Sequence, residues 1–351
     1  MLPYLEQDIV RIADRIESTL KNADARNVLI TGASGFLGKY FMATFAEFNR
    51  RNPNAPFRIV AVDNHVTSPD VVLPARDLGP NVEWIYADAK IANELPDTFH
   101  YIIHTAGIAS PQHYRARPLE TIEVAVDVTK RLLERAKVDS AKMLFFSSSE
   151  IYGDPTPDAI PTNEEYRGYV SCRGPRGCYD ESKRLGETLC WVYSENFGVH
   201  ASVVRPFNIY GPGMLPTDYR VLPNFAWSLA SNKPINIYGS GQQTRTYCYV
   251  TDAIYGFLLV LFKGKKADVY NVGNPNPEIS VNQLAEYVAK AANVDLSLVH
   301  TEYPDSYPAD EPLRRCPDIT KIQKELDYSP EVGIEQGLEN FFTWARSYYV
   351  K

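Results

Sequence analysis

Residues 27–38 read NVLITGASGFLG, and their order decides the fold. Five residues of largely β-favouring character run directly into three glycines, Gly32, Gly35 and Gly38. The last two glycines open a stretch, 36–48, whose apolar residues recur at helical spacing. Strand, tight turn and helix therefore follow one another. Glycines at such a turn let the backbone come close to a diphosphate, and the helix N-terminus offers unpaired N–H groups and the positive end of its dipole. The arrangement is that of a dinucleotide site, with contacts expected from Gly32, Gly35, Phe36, Leu37 and Gly38.

Downstream, runs rich in Val, Ile and Phe alternate with helical patterns. Strands are predicted in FRIVAVD (57–63), VEWIYA (82–87), YIIHTA (101–106), KMLFFSS (142–148) and HASVVRP (200–206), with helices near 119–136 and 179–196. This pattern specifies an α/β fold, a Rossmann-type doubly wound parallel sheet with a smaller C-terminal α/β substrate-binding domain. The expected division is an amphipathic N-terminal helix in 1–26, an NAD-binding domain in 27–206 with a returning segment near 246–265, and a mainly substrate-binding part in 207–351, with helices near 281–292 and 334–348. In the N-terminal segment Ile9, Ile12, Ile16 and Leu20 form an apolar stripe that should pack on the main body or on a second subunit.

Asp63 closes the second predicted strand. A carboxylate there accepts hydrogen bonds from both ribose hydroxyls and repels an added phosphate, so NAD is expected in preference to NADP. Asn64, the pair Asp88 and Ala89 after the third strand, and Thr105 and Ala106 after the fourth complete the expected cofactor contacts.

Composition narrows the function. The chain has 351 residues, 44% hydrophobic and 23% charged, which is ordinary globular usage and enough chain for a large core. A net charge of −7 opposes broad attraction to nucleic acid or anionic lipid. Five cysteines without a CxxC pair suggest neither zinc nor a disulfide framework, so no metal is expected, and a cytoplasmic, reducing setting fits. No apolar run approaches a membrane span and the first ten residues carry acids rather than bases, so no membrane association is expected.

In GCYDESKRLGE, Tyr179 and Lys183 stand four apart and project from one helix face. A lysine ammonium and a nicotinamide cation near a phenol favour the phenolate, and with both in place Tyr179 is expected to have a lowered pKa and to act as a base. FFSSSEIYG ends another strand, and Ser148 completes a Ser–Tyr–Lys set, followed by Ser149 and Glu150.

With these features in place the chain, from about residue 27 to its end, resembles the extended short-chain dehydrogenase/reductases acting on nucleotide sugars, and among them the UDP-glucuronate decarboxylases. The matching stretches are SSSEIYGDP, YVSCRGPRGCYDESKR, VVRPFNIYGPGM, GSGQQTRTYCYVTDA and RRCPDITK. The resemblance implies that Tyr179 takes the proton of the sugar's C4 hydroxyl as hydride passes to NAD. It further implies that a C6 carboxylate, now beta to a ketone, leaves as CO2, and that the same cofactor re-reduces the ketone. Lys183 would hold the ribose and tune Tyr179, Ser148 would steady the oxygen, and Ser149 and Glu150 would position the ring or manage protons. The related 4,6-dehydratases carry an Asp–Glu pair where this chain has Ser149–Glu150. Substrate contacts are implied for Asn208, Arg220, Tyr238 and Arg245, and for Arg314 or Arg315. Family members commonly pair through the two helices near 119–136 and 179–196, so a homodimer with a UDP-sugar substrate is expected. The chain departs from the family pattern in 166–176, YRGYVSCRGPR, where Arg167, Ser171 and Arg173 stand, and at Gly213, where arginine is usual. Two alternatives use the same residues differently: a nucleotide-sugar 4-epimerase or 4,6-dehydratase, and a non-catalytic NAD-binding regulatory protein.

Overall fold

The computed structural model describes residues 4–67, 78–295, 297–302 and 312–349. Its centre is β1 (Asn27–Thr31), flanked by β2 (Arg58–Asp63) on one side and β4 (Tyr101–His104) on the other, both parallel to it. β3 (Val82–Tyr86), β5 (Lys142–Phe146) and β6 (His200–Pro206) extend the sheet, and a seventh strand, Val269–Val272, closes the edge beside β6. The order is Val269–Val272, β6, β5, β4, β1, β2, β3, parallel throughout.

Val28, Leu29 and Ile30 of β1 are all fully buried because helices cover both faces of the sheet. On one face lie Tyr40, Phe41 and Phe45 of α2 (Phe36–Arg51); on the other lie Leu132, Leu133 and Tyr193. The strand order reverses at β1. The C-terminal ends of β1 and β4 therefore flank the crevice in which open α/β sheets bind ligands.

The N-terminal helix α1 (Glu6–Lys21) places Ile9, Ile12, Ile16 and Leu20 against α2 and the helix Val250–Lys263. Asp8 on the same face is buried and accepts hydrogen bonds from the Tyr249 hydroxyl at 2.8 Å and the Tyr40 hydroxyl at 3.2 Å. Arg15 pairs with Asp252 at 2.6 Å. The amphipathic stripe is thus spent on the body of the same chain.

Helix runs through the expected stretch 119–136, from Pro118–Glu123 through a π-helical turn, Val124–Val128, to Thr129–Asp139. The returning segment reaches further than 246–265, since Val250–Lys263 lies on the sheet and Val269–Val272 then enters it. The rest of the C-terminal part consists of short strand pairs and the helices Val221–Ala230, Val281–Ala292 and Ile334–Tyr348. Among the described residues no helix is long and apolar enough to cross a membrane.

Candidate active site

The crevice begins at Gly32, which has φ 74°, and a Cβ there would stand 2.4 Å from the Ala106 backbone nitrogen. Only glycine meets both conditions. A Cβ on Gly38 would lie 2.3 Å from the Gly32 carbonyl oxygen, so this glycine lets α2 seat its first turn on the loop. Thr105 Oγ1 donates to the Thr31 and Gly32 carbonyls at 2.7 and 3.1 Å and ties the ends of β1 and β4 together. Phe36 and Leu37 begin α2 beside the loop. Ser34 is fully buried and its hydroxyl has no hydrogen-bond partner among the described residues.

Asp63 Oδ2 accepts from the Ser34 N–H at 2.9 Å and Oδ1 from the His65 N–H at 2.7 Å. The Ala87 N–H donates to the Asp63 carbonyl at 3.0 Å, which brings Asp88 and Ala89 alongside. Asp88 caps the following 3-10 turn by accepting from the Lys90 N–H at 2.9 Å, and Ala89 is buried. Asn64 is exposed and its side chain accepts from the Val66 N–H at 3.3 Å. Tight glycine turns, a helix N-terminus and a carboxylate at the end of β2 thus meet at one edge of the sheet, the features by which such folds hold a dinucleotide.

Where β5 ends, Ser148 begins the short turn Ser149–Tyr152 and accepts from the Glu150 N–H at 3.2 Å. The helix Gly177–Phe197 runs beside it and supplies Tyr179 and Lys183. Ser148 lies near enough to the Tyr179 hydroxyl to favour its ionised form. Lys183 Nζ donates to the Phe146 carbonyl at 2.7 Å and lies 5.8 Å from the centre of the Tyr179 ring. The three side chains expected to act together are therefore adjacent. Burial pushes the Tyr179 phenol up to about 12, and the opposing effects of Ser148 and of the charge of Arg220 do not offset it. Lys183 is itself pushed down to about 8 by burial. A desolvated pair loses more from burial than it gains from mutual attraction, which spacing along a helix does not reveal.

Glu150 is held by arginines from two distant segments. Arg315 donates Nη1 to Oε1 at 2.5 Å and Nη2 to Oε2 at 2.7 Å, and Arg176 Nη2 also contacts Oε2. Burial alone would raise the Glu150 carboxyl, but the charges of Arg315, Arg176 and Arg245 hold it below its ordinary value. Ser149 beside it is buried.

The pair Arg314–Arg315 is resolved by strand alternation. Arg315 is 5% exposed and faces Glu150; Arg314 turns outward to Glu278, with its two bonds at 2.9 and 2.8 Å. Arg314 is thus not among the residues gathered at the site. Arg245 is buried and donates to the Thr244, Pro312 and Leu313 carbonyls, so it also shapes the segment that carries Arg315. Asn208, at φ 44°, donates to the Thr246 carbonyl at 2.8 Å. Arg220 pairs with Asp218 through Nε at 2.7 Å, and its charge reaches Tyr179. Tyr238 ends the strand Ile235–Tyr238, half-buried.

Three residues that the sequence reading passed over belong here. Arg176 bridges Glu150 and Asp180. Asp180 is buried, has one oxygen without a hydrogen-bond partner among the described residues, and is pushed up to about 6 by burial. Tyr114 stacks on Tyr179 with ring centres 5.3 Å apart, and its buried hydroxyl has no hydrogen-bond partner among the described residues. The i, i+4 spacing of Arg176 and Asp180, in step with Tyr179 and Lys183, was a usable signal; nothing local marked Tyr114.

Comparison with known proteins agrees with this geometry. Residues 28–273 match the model of the NAD dependent epimerase/dehydratase family. UDP-glucuronic acid decarboxylase 5 of Arabidopsis thaliana is 35% identical over 311 residues, 89% of this chain and 86% of that protein. UDP-glucuronic acid decarboxylase 1 of Xenopus tropicalis is 34% identical over 329 residues, 93% of this chain and 74% of that protein. Among solved structures, a UDP-glucose 4-epimerase from Thermotoga maritima with UDP-glucose has a TM-score of 0.79 at 23% identity, covering 92% of this chain and 99% of its own. A dTDP-glucose 4,6-dehydratase from Streptomyces venezuelae with NAD bound has a TM-score of 0.77 at 23% identity, covering 92% and 97%.

Proposed function

The chain belongs to the NAD dependent epimerase/dehydratase family, and from that premise we propose that it is a UDP-glucuronate decarboxylase forming UDP-xylose. NAD, when bound, supplies the acceptor for hydride from C4 of the sugar and its later donor. Gly32, Gly35, Phe36, Leu37 and Gly38 would hold the diphosphate side, Asp63 with Asn64, Asp88 and Ala89 the adenosine side, and Thr105, Ala106 and Lys183 the nicotinamide side. Tyr179 would take the C4 hydroxyl proton, with Ser148 holding the same oxygen. The resulting C4 ketone is the electron sink that lets a carboxylate on C5 leave as CO2.

The observation that carries decarboxylation over dehydration is the state of positions 149 and 150. Loss of a sugar hydroxyl as water needs an acid to protonate it. Ser149 is too weak an acid to serve, and Glu150 is kept ionised by Arg315 and Arg176, so it has no proton to give. Departure of CO2 needs no such acid. A 4-epimerase would share Ser148, Tyr179 and Lys183, and release of CO2 from UDP-glucuronate separates the two activities.

We propose further that the protein is a cytoplasmic homodimer. Leu119 is 69% exposed on the helix Pro118–Glu123, and Leu185 and Trp191 are 46% and 57% exposed on the neighbouring helix Gly177–Phe197. These apolar groups lie on helices that pack together and would be covered by a second copy. All five cysteines stand as free thiols, as a reducing compartment allows. The experiment is turnover of UDP-glucuronate by the purified protein with NAD, followed by NMR, with mass measured by light scattering on the same sample. A UDP-pentose, CO2 and twice the chain mass support the proposal; an unchanged or epimerised hexuronate overturns the decarboxylase assignment, and a single chain mass overturns the dimer.

A further inference from the structure

Glu150 and Arg315 stand 165 positions apart in the chain, yet their two bonds, at 2.5 and 2.7 Å, leave little room for slip. A buried chain of hydrogen bonds joins the segments that carry them. Tyr152 ends the short turn Ser149–Tyr152 that holds Glu150, and it is 1% exposed. Its hydroxyl donates to Asn271 Oδ1 at 2.7 Å and accepts from Arg205 Nη1 at 2.7 Å. Asn271, fully buried in the strand Val269–Val272, donates through Nδ2 to the Thr162 carbonyl at 2.9 Å and to the Asp318 carbonyl at 3.0 Å. Thr162 pairs with the same segment through its backbone: its N–H donates to the Cys316 carbonyl and its carbonyl accepts from the Asp318 N–H, both at 2.9 Å. Cys316 follows Arg315 directly. On the other side Arg205 donates to both Glu187 oxygens, at 2.9 and 2.6 Å, and Glu187 lies on the helix that supplies Tyr179 and Lys183.

One phenol oxygen is therefore linked, through a single further side chain each way, to the segment that follows Arg315 and to the helix that bears Tyr179. A buried polar network is stable only when its members are bonded, so it favours one arrangement of these parts over a range of them. We infer that Tyr152, with Asn271 as its partner, is a positioning residue that holds Glu150 in register with Arg315 and the Tyr179 helix, acting through Glu150 rather than on the substrate. The inference rests on the sugar-side role proposed above for Glu150 and deepens it. A displacement of about 1 Å in such a constellation can cost roughly a hundredfold in rate, so a hydroxyl outside the site can still control turnover.

The test is a double-mutant cycle on the full-length protein with NAD, pairing Tyr152→Phe, which removes the hydroxyl and keeps the ring, with Glu150→Gln. Turnover of UDP-glucuronate, NADH affinity and the thermal unfolding midpoint are measured for all four chains. In the natural background Tyr152→Phe should lower kcat by roughly tenfold or more, with KM and the NADH dissociation constant each moving less than about threefold. Beside Glu150→Gln the same change should lower kcat by less than about twofold, while its effect on the unfolding midpoint is the same in both backgrounds. An equal loss of kcat in both backgrounds, or no loss in the natural one, would overturn the positioning role. Where Tyr152→Phe does not fold, Glu187→Gln, an isosteric change at the partly exposed end of the network, should give the same pattern with a loss of about threefold, and its absence would overturn the role equally. If UDP-glucuronate is not decarboxylated, that reading falls alone and the cycle is read on the nucleotide sugar that the natural chain converts; absence of any turnover overturns both.

Discussion

The two halves of the crevice are built on different plans. The proposed cofactor side is made of backbone: the ends of β1, β2 and β4, three glycines within seven residues, and one carboxylate fixed by two N–H groups. The proposed sugar side is made of side chains from segments far apart, with Glu150 in the turn after β5, Arg176 before the helix Gly177–Phe197 and Arg315 more than 160 positions downstream of Glu150 in the chain. A backbone cradle depends on where the chain can turn. A charge cluster depends on which residues folding brings together. The first should fail through strain and the second through unpaired charge.

Substitutions can break this contrast, and the largest effect belongs to the point where the halves meet. Tyr179→Phe should lower kcat by about a thousandfold or more while leaving the dissociation constant for NADH nearly unchanged, checked by turnover and fluorescence titration together. Near-normal turnover would remove Tyr179 from its role. Arg315→Ala should lower kcat/KM for the nucleotide sugar by roughly a hundredfold with little change in NADH binding, because it leaves the half-buried Glu150 carboxylate with less counter-charge.

On the other side, Gly32→Ala forces a Cβ against Ala106 and a left-handed conformation that costs about 1–3 kcal/mol. NADH affinity should fall by roughly tenfold or more, with the sugar affinity of the surviving holoenzyme unaffected. Lys183 is charged below about pH 8 and loses its proton above it, so kcat/KM should decline as pH rises through that value, read from a pH–rate profile. The smallest effect is expected from Arg314→Ala. This arginine is bonded to Glu278 at the surface, and kcat/KM should move by less than about twofold. A large loss from Arg314→Ala would erase the distinction between the two neighbours.

The same contrast explains what the sequence made legible. The glycine turn and Asp63 are local patterns with a fixed geometric meaning, and the Tyr179–Lys183 pair shares one helix face by spacing alone. Arg314 and Arg315 could not be told apart without the strand that turns them in opposite directions. Tyr114 reaches the site only because the chain after β4 folds over Tyr179. The seventh strand, four residues long, lacked the periodicity that marks longer ones. That Tyr179 and Lys183 are neighbours is readable from spacing, whereas their burial is a property of the finished fold.

The central claim is that this site removes CO2 from a sugar without the acid that dehydration requires. Its most direct test is to supply the purified protein and NAD with UDP-glucuronate labelled with 13C at C6, alongside UDP-glucose and dTDP-glucose, and to follow all three by NMR. The account predicts labelled CO2 with a UDP-pentose from the first and no 4-keto-6-deoxy sugar from the other two. Retention of the label in a hexuronate, or formation of a 4-keto-6-deoxy sugar, would contradict it.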